Sequence, residues 1–422
     1  MKENDGKGFW RFFGPGLLFA GAAVGTSHFV QSTRAGAVFG IGLLSVVILA
    51  NFFKYPAFRF GSHYAAATGK SLVDGYKNQG RTALLFLFLV LLFADGFAIA
   101  AVSLVTAGIV KTVFGIGLGI LTLTAGVMLV AALILILGHY VWLDRLNKIF
   151  VGLITFCTLL ATAMALPHVD WSFYPATAPK VDAKTMMFVV ALAGWMPSAL
   201  EASVMTSLWT VAKMAEGHAA PGKRHIGQVL TDFDIGYMGT AILAICFVLL
   251  GAGVLHAGGI APADTAPGFA AQIIKLYDST LGAWAAPVLG GAAISVMFTT
   301  VLAVVDGVTR VLVSAGLALQ DKPYEPAGLD RTRGYRLVMV GMLIAAMLLL
   351  TQFLSSFRAF IDLVTSIAFL TAPLLACFNH RAVFGGDIPK DMQPSKLMKV
   401  WSFTGIAVLV LFAGVYLCVV WG

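Results

Sequence analysis

The sequence predicts an all-α polytopic membrane protein of eleven transmembrane helices, a 5+5 inverted repeat in which helices 1 and 6 are discontinuous. Three observations predict it. Hydrophobic residues make up 59% of the 422 and charged residues 11%, with a mean hydropathy of +0.89, a balance that no water-soluble domain of this size needs. Apolar runs of span length recur along the whole chain. Two of these runs, the first and the sixth, are interrupted near their middles by residues that unsettle a helix.

A span needs about 20 apolar residues, and candidates lie near 16–40, 41–61, 82–113, 117–139, 146–166, 185–209, 228–255, 285–316, 335–354, 359–378 and 400–421. Residues 1–14, with acids and a Trp ahead of the apolar run and no small-residue cleavage site after it, read as a retained N-terminal tail and not a signal peptide. Residues 15–422 read as a single transmembrane domain, with repeat one about 15–166, repeat two about 185–378 and an extra helix at 400–421. The longest loops, 167–184, 210–227, 256–284 and 317–334, are too short to hold a core of their own.

The net charge of +8 is set by topology and is not a nucleic-acid footprint. Of the 28 Lys and Arg, 21 fall in segments on the side of the N-terminus, among them Lys54 and Arg59. Lys111, Lys180, Lys184, Lys275 and Arg358 fall on the other side, and Arg34 and Arg310 inside spans. The positive-inside rule then puts the N-terminus in the cytoplasm and the C-terminus outside, in a multi-pass plasma-membrane protein expected to be monomeric and bathed in lipid. Cys157, Cys246, Cys377 and Cys418 all sit in spans without CxxC spacing and read as packing residues. No P-loop and no nucleophile–base pair at useful spacing is present, so neither an enzyme nor an ATP-driven pump is expected, and no cofactor.

In the first span GPGLLFAGAAV leads to GTSH and then FVQSTRAGAVFG; in the sixth, MMFVVALAGW leads to MPSA and then LEASVMTSLW. Pro197 has no backbone N–H, and Thr and Ser side chains compete for backbone partners, so both helices are expected to open there. An opened backbone in lipid is tolerated only where it faces a polar cavity or a ligand. Two breaks five spans apart point to a carrier with its substrate at the midplane between half-helices.

These residues resemble the NRAMP family of divalent-metal transporters, whose fold is LeuT-like. The likeness is carried by GPGLLFAGAAVGTSHFVQSTRAGAVFG, by ALAGWMP, by RFGSHYAAATGKSLVDGY and by IAFLTAPLLACFNHRAVFG, and it covers nearly the whole chain. The resemblance implies a metal site at the two breaks, formed by Gly25, Thr26, Ser27, His28, Ala193, Met196 and Ser198. The match is partial. The family's first break reads Asp-Pro-Gly-Asn where this chain has Gly25, Thr26, Ser27 and His28, and the family's His after Met-Pro is Ser198. The Met that gives a thioether ligand is kept as Met196, and the Ala whose carbonyl helps is kept as Ala193. The family's span 3 acids align with apolar positions such as Val102, and span 9 has no interior charge.

His28 and Met196 are the candidate metal ligands, an imidazole and a thioether suited to borderline or soft metals such as iron, copper or zinc, with manganese at the edge of that range; the resemblance implies a divalent transition metal such as manganese or iron. The alternative reading is a same-fold carrier of a small organic or anionic solute, held by the half-helix N-termini with Ser27, His28 and Ser198 as donors. Four charged residues are candidates for coupling or gating. Arg34 is expected to pair with Glu201, and Asp306 either pairs with Arg310 one turn away or joins Asp95, its counterpart on span 3, in holding a coupling ion.

Overall fold

A computed structural model describes residues 14–137, 140–172, 182–217, 220–282, 284–353 and 356–421. Most of the expected N-terminal tail therefore lies outside the described residues, as does part of the loop at 167–184. The described chain is helical throughout, with no strand among those residues. Eight helices are by themselves long and apolar enough to cross a membrane. The other three expected spans are the two broken ones and the second, whose apolar run is diluted by Asn51, Lys54 and Arg59.

The first span is α1 (Pro15–Ala23), a wide π-turn over Ser27–Ser32, and α2 (Thr33–Phe39). It is followed by α3 (Leu44–Thr68), a short α4 (Leu72–Gln79), α5 (Arg81–Phe114), α6 (Ile120–Leu137) and α7 (Tyr140–Ala165). The sixth span is α8 (Ala183–Gly194), an irregular turn and α9 (Ala202–Glu216). Then come α10 (Lys223–Leu250, continued as a π-turn to His256), α11 (Ala266–Leu281), α12 (Ala285–Leu319), α13 (Arg333–Phe353), α14 (Phe357–Phe384) and α15 (Lys396–Trp421).

The centre is built around the broken spans. α5 packs along α12, α10 along α1 and α3, α9 against α3, and α14 against α8. Backbones come close where side chains vanish: a Cβ on Gly36 would lie 2.0 Å from the Val248 carbonyl oxygen, and one on Gly194 1.9 Å from that of Thr365. α6 and α15 sit at the periphery, turning Leu129, Leu133, Leu137, Val410 and Leu411 outward, as lipid-facing helices do.

The helix ends are fixed by charge. Asp232 on α10 caps α1, accepting from Gly14 N at 3.2 Å and Gly16 N at 2.7 Å, a carboxylate at the positive end of a helix. Asp182, outside the span, caps α8 through the Thr185 N–H, which holds its carboxyl below the usual range. Arg59 and Tyr55 of α3 both bind Asp234 of α10. Lys54 and Arg59, expected among the loop charges, are thus inside the second span, and Lys54 is completely buried.

Candidate functional site

Both breaks open onto one cavity of about 40 Å³, large enough for one or two waters or a dehydrated ion. Its wall includes Thr26 and Ser27 from the first break, Trp195, Ser198 and Glu201 from the second, Asp95 and Val102 from α5, and Thr300 from α12. At the first break α1 ends on Ala23, and Val24 leaves the helix with ψ near 65°. Gly25 then turns the chain beside Thr300, whose methyl would lie 2.6 Å from a Cβ at that position. At the second, Trp195 to Glu201 carries no regular helix, because Pro197 supplies no N–H to continue one.

Asp95 and Glu201, each 2% exposed, meet across this cavity at hydrogen-bonding range. Two carboxylates cannot stay in such contact without a proton or a cation between them. Asp95 Oδ2, Glu201 Oε2 and Thr26 Oγ1 are buried and receive no hydrogen bond from the protein. Three unpartnered oxygens at one cavity are the feature of this molecule that most asks for a ligand.

Lys54 reaches the second break from α3. Its Nζ donates to the carbonyls of Ala193 and Gly194 at 2.8 Å each, Met196 at 3.1 Å and Ser198 at 3.3 Å, and Glu201 is its nearby counter-charge. The Ala193 carbonyl expected to face a metal is therefore taken by an ammonium. Sequence reasoning missed Lys54 because a lone Lys toward a span end reads as a topology signal; the available hint was its place within the expected apolar span 41–61.

Other expected site residues lie elsewhere. His28 is completely buried and does not line the cavity. Its Nε2 lies 2.8 Å from the Thr240 carbonyl and its Nδ1 2.7 Å from Ser27 Oγ, so both ring nitrogens are engaged. Met196 packs with Ala35, Leu43 and Leu192, and its sulfur accepts from Ser32 Oγ at 3.6 Å. Among the described residues no group of three or more His, Cys, Asp or Glu is placed to share a metal.

Arg34 does not pair with Glu201. It makes a two-pronged contact with Asp362 of α14, at 2.8 and 3.1 Å, steadied by Gln31 and by the Phe188 ring. The reason is chain direction: spans 1 and 6 run antiparallel, so the residues following their breaks diverge from the midplane. Asp306 pairs with Arg310 at 2.8 Å, the first of its two expected roles, and also accepts from Trp209 at 3.1 Å and Tyr335 at 2.7 Å. That saturates it, away from the cavity wall that Asp95 joins.

Similarity to known proteins agrees with this architecture. An uncharacterized protein of Pasteurella multocida is 34% identical over 385 residues, covering 89% of this chain and 85% of that one. The divalent metal cation transporter MntH of Brucella suis is 27% identical over 259 residues, 59% of this chain and 55% of that protein. Among solved structures, the manganese transporter of Eremococcus coleocola superposes with a TM-score of 0.69 at 14% identity, over 98% of this chain and 87% of that one. MhsT in complex with L-phenylalanine does so with a TM-score of 0.66 at 14% identity, over 96% and 98%. Both likenesses concern the fold, which is LeuT-like. The family model of natural resistance-associated macrophage protein-like proteins matches residues 16–419, nearly the whole chain, and this chain therefore belongs to the Nramp family.

Proposed function

We propose that the protein is a secondary transporter that moves a divalent transition metal ion, manganese foremost, across the plasma membrane by alternating access. The observation that carries the reading is the pair of buried acids, Asp95 and Glu201, with unpartnered oxygens at a cavity between the half-helices. Discontinuous helices that meet at mid-depth suit a site reached alternately from the two sides. The Brucella suis relative, a divalent metal cation transporter, and the Eremococcus coleocola manganese transporter point the same way.

The donor set differs from the imidazole and thioether expected at first. The oxygens of Asp95, Glu201 and Thr26 favour a hard or borderline cation, and manganese suits carboxylate and carbonyl donors better than copper or zinc does. His28 and Met196 stay close behind the first wall, where they shape the breaks. On this reading the repeats are residues 15–166 and 185–378, the N-terminus is cytoplasmic, and a proton shared by the two acids leaves when the metal enters. The alternative cargo, a small organic or anionic solute, is disfavoured because an anion would meet two buried carboxyl groups.

The test is manganese uptake into proteoliposomes holding the purified chain. Saturable uptake is expected, and Glu201→Gln or Asp95→Asn removes an ionic ligand worth about 1.5–3 kcal/mol, on the order of 10- to 100-fold in apparent affinity. Uptake unchanged in both variants would sink the assignment of the site, and no uptake of manganese, iron or cadmium by the unaltered chain would sink the metal reading itself.

A further inference from the structure

The backbone carbonyls freed by the second break do not wait for a ligand. Ala193 and Gly194 end α8, so their oxygens form the negative pole of a half-helix, and those of Met196 and Ser198 turn toward the same point. Carbonyls of an unwound segment and a half-helix C-terminal end are the elements with which discontinuous-helix carriers coordinate a coupling cation. Here the point is filled by Lys54 Nζ, from a side chain with no measurable exposure. An ammonium has three protons, so four carbonyl acceptors at 2.8 to 3.3 Å leave one proton shared, a crowd of oxygens typical of a cation cage and beyond what one Lys needs.

We propose that the carbonyl cage of the second break is a monovalent-cation site which the protein fills with its own Lys54, a tethered ion that replaces a dissolved one. Three features support it. Glu201 is buried and Lys54 is the cation whose charge acts on it, so an uncharged occupant of the cage would leave a buried acid without its counter-charge. The tether comes from α3, which also packs on α9, so the ammonium joins both halves of the sixth span to one neighbour. And the cage lies beside the Asp95–Glu201 cavity without Lys54 lining it, so the tethered ion holds the break in shape while the cavity stays open to cargo. The inference concerns the cage alone and stands whichever cargo the cavity takes.

The test is thermal melting of the purified full-length protein in detergent, in choline chloride, with sodium, ammonium or methylammonium titrated in. Lys54→Ala is expected to fall by roughly 5 °C in choline and to regain most of that loss, saturably, with one of the small cations, while the unaltered chain shows no cation response. Lys54→Gln keeps hydrogen-bond donors without charge and is expected to respond to cations as Lys54→Ala does. A Lys54→Ala protein that melts with the unaltered chain, or falls without any cation response, overturns the inference. So does a Lys54→Gln protein as stable as the unaltered chain, which also decides the matter if Lys54→Ala does not fold. Melting reads the cage without transport, so a flat response leaves the metal assignment standing, and absent manganese uptake leaves the cage standing.

Discussion

At position 28 the proton must sit on Nε2, because the Thr240 carbonyl 2.8 Å away can only accept. In the neutral ring Nδ1 is then an acceptor, 2.7 Å from the Ser27 hydroxyl, whose single proton also lies within reach of the Ala23 carbonyl at 2.6 Å. A metal could reach this ring only by displacing Ser27 or Thr240. The imidazole therefore ties the π-turn of the first span to α10, and its loss removes both of its buried hydrogen bonds. His28→Ala is expected to cost about 1–3 kcal/mol of stability while leaving manganese affinity within about twofold of normal, an effect under 0.5 kcal/mol; calorimetric titration beside a melting curve checks both. A variant that melts normally yet binds manganese tenfold more weakly would return His28 to the ligand shell.

The helices owe their places to small residues as much as to apolar ones. Gly194 is the last residue of α8, and it lets the chain pass so near α14 that even a methyl would sit 1.9 Å from the Thr365 carbonyl oxygen. Gly194→Ala must push α8 away, and the four carbonyls at Lys54 move with it. Overpacking of this kind costs about 1–3 kcal/mol, and here the cost falls on the break. The expected outcome is a lower melting temperature together with weaker manganese uptake, whereas Gly239→Ala, where nothing lies within 4 Å, leaves both unchanged. Equal behaviour of the two variants would show that the close approach of α8 and α14 is not what holds the break.

Across the whole molecule, connecting segments pair with others on the same side. Lys77 bridges to Asp321 at 2.8 Å and Lys223 to Asp391 at 3.7 Å, while Arg358 at the other end meets Asp264. Lys77 holds the exposed Asp321 carboxyl below its usual range. On the proposed orientation, with the N-terminus cytoplasmic, the Asp391 side would face the cell interior. In a chain whose four cysteines are replaced by alanine, Asp391→Cys should react with an impermeant maleimide only in inverted vesicles, and Ala261→Cys only from outside intact cells; the opposite pattern would reverse the orientation. The sequence by itself determined the membrane class, the span positions, the two breaks and the family resemblance, since hydropathy and helix propensity are properties of neighbouring residues. Only the tertiary structure decided which charges meet. Arg34 found Asp362, 328 residues away, and not Glu201; Lys54 found Ala193, 139 residues away. Asp95, and not Asp306, came to face Glu201. Partners between spans are fixed by the direction and rotation of each packed helix, and in lipid every buried charge must settle with whichever partner that packing brings within reach.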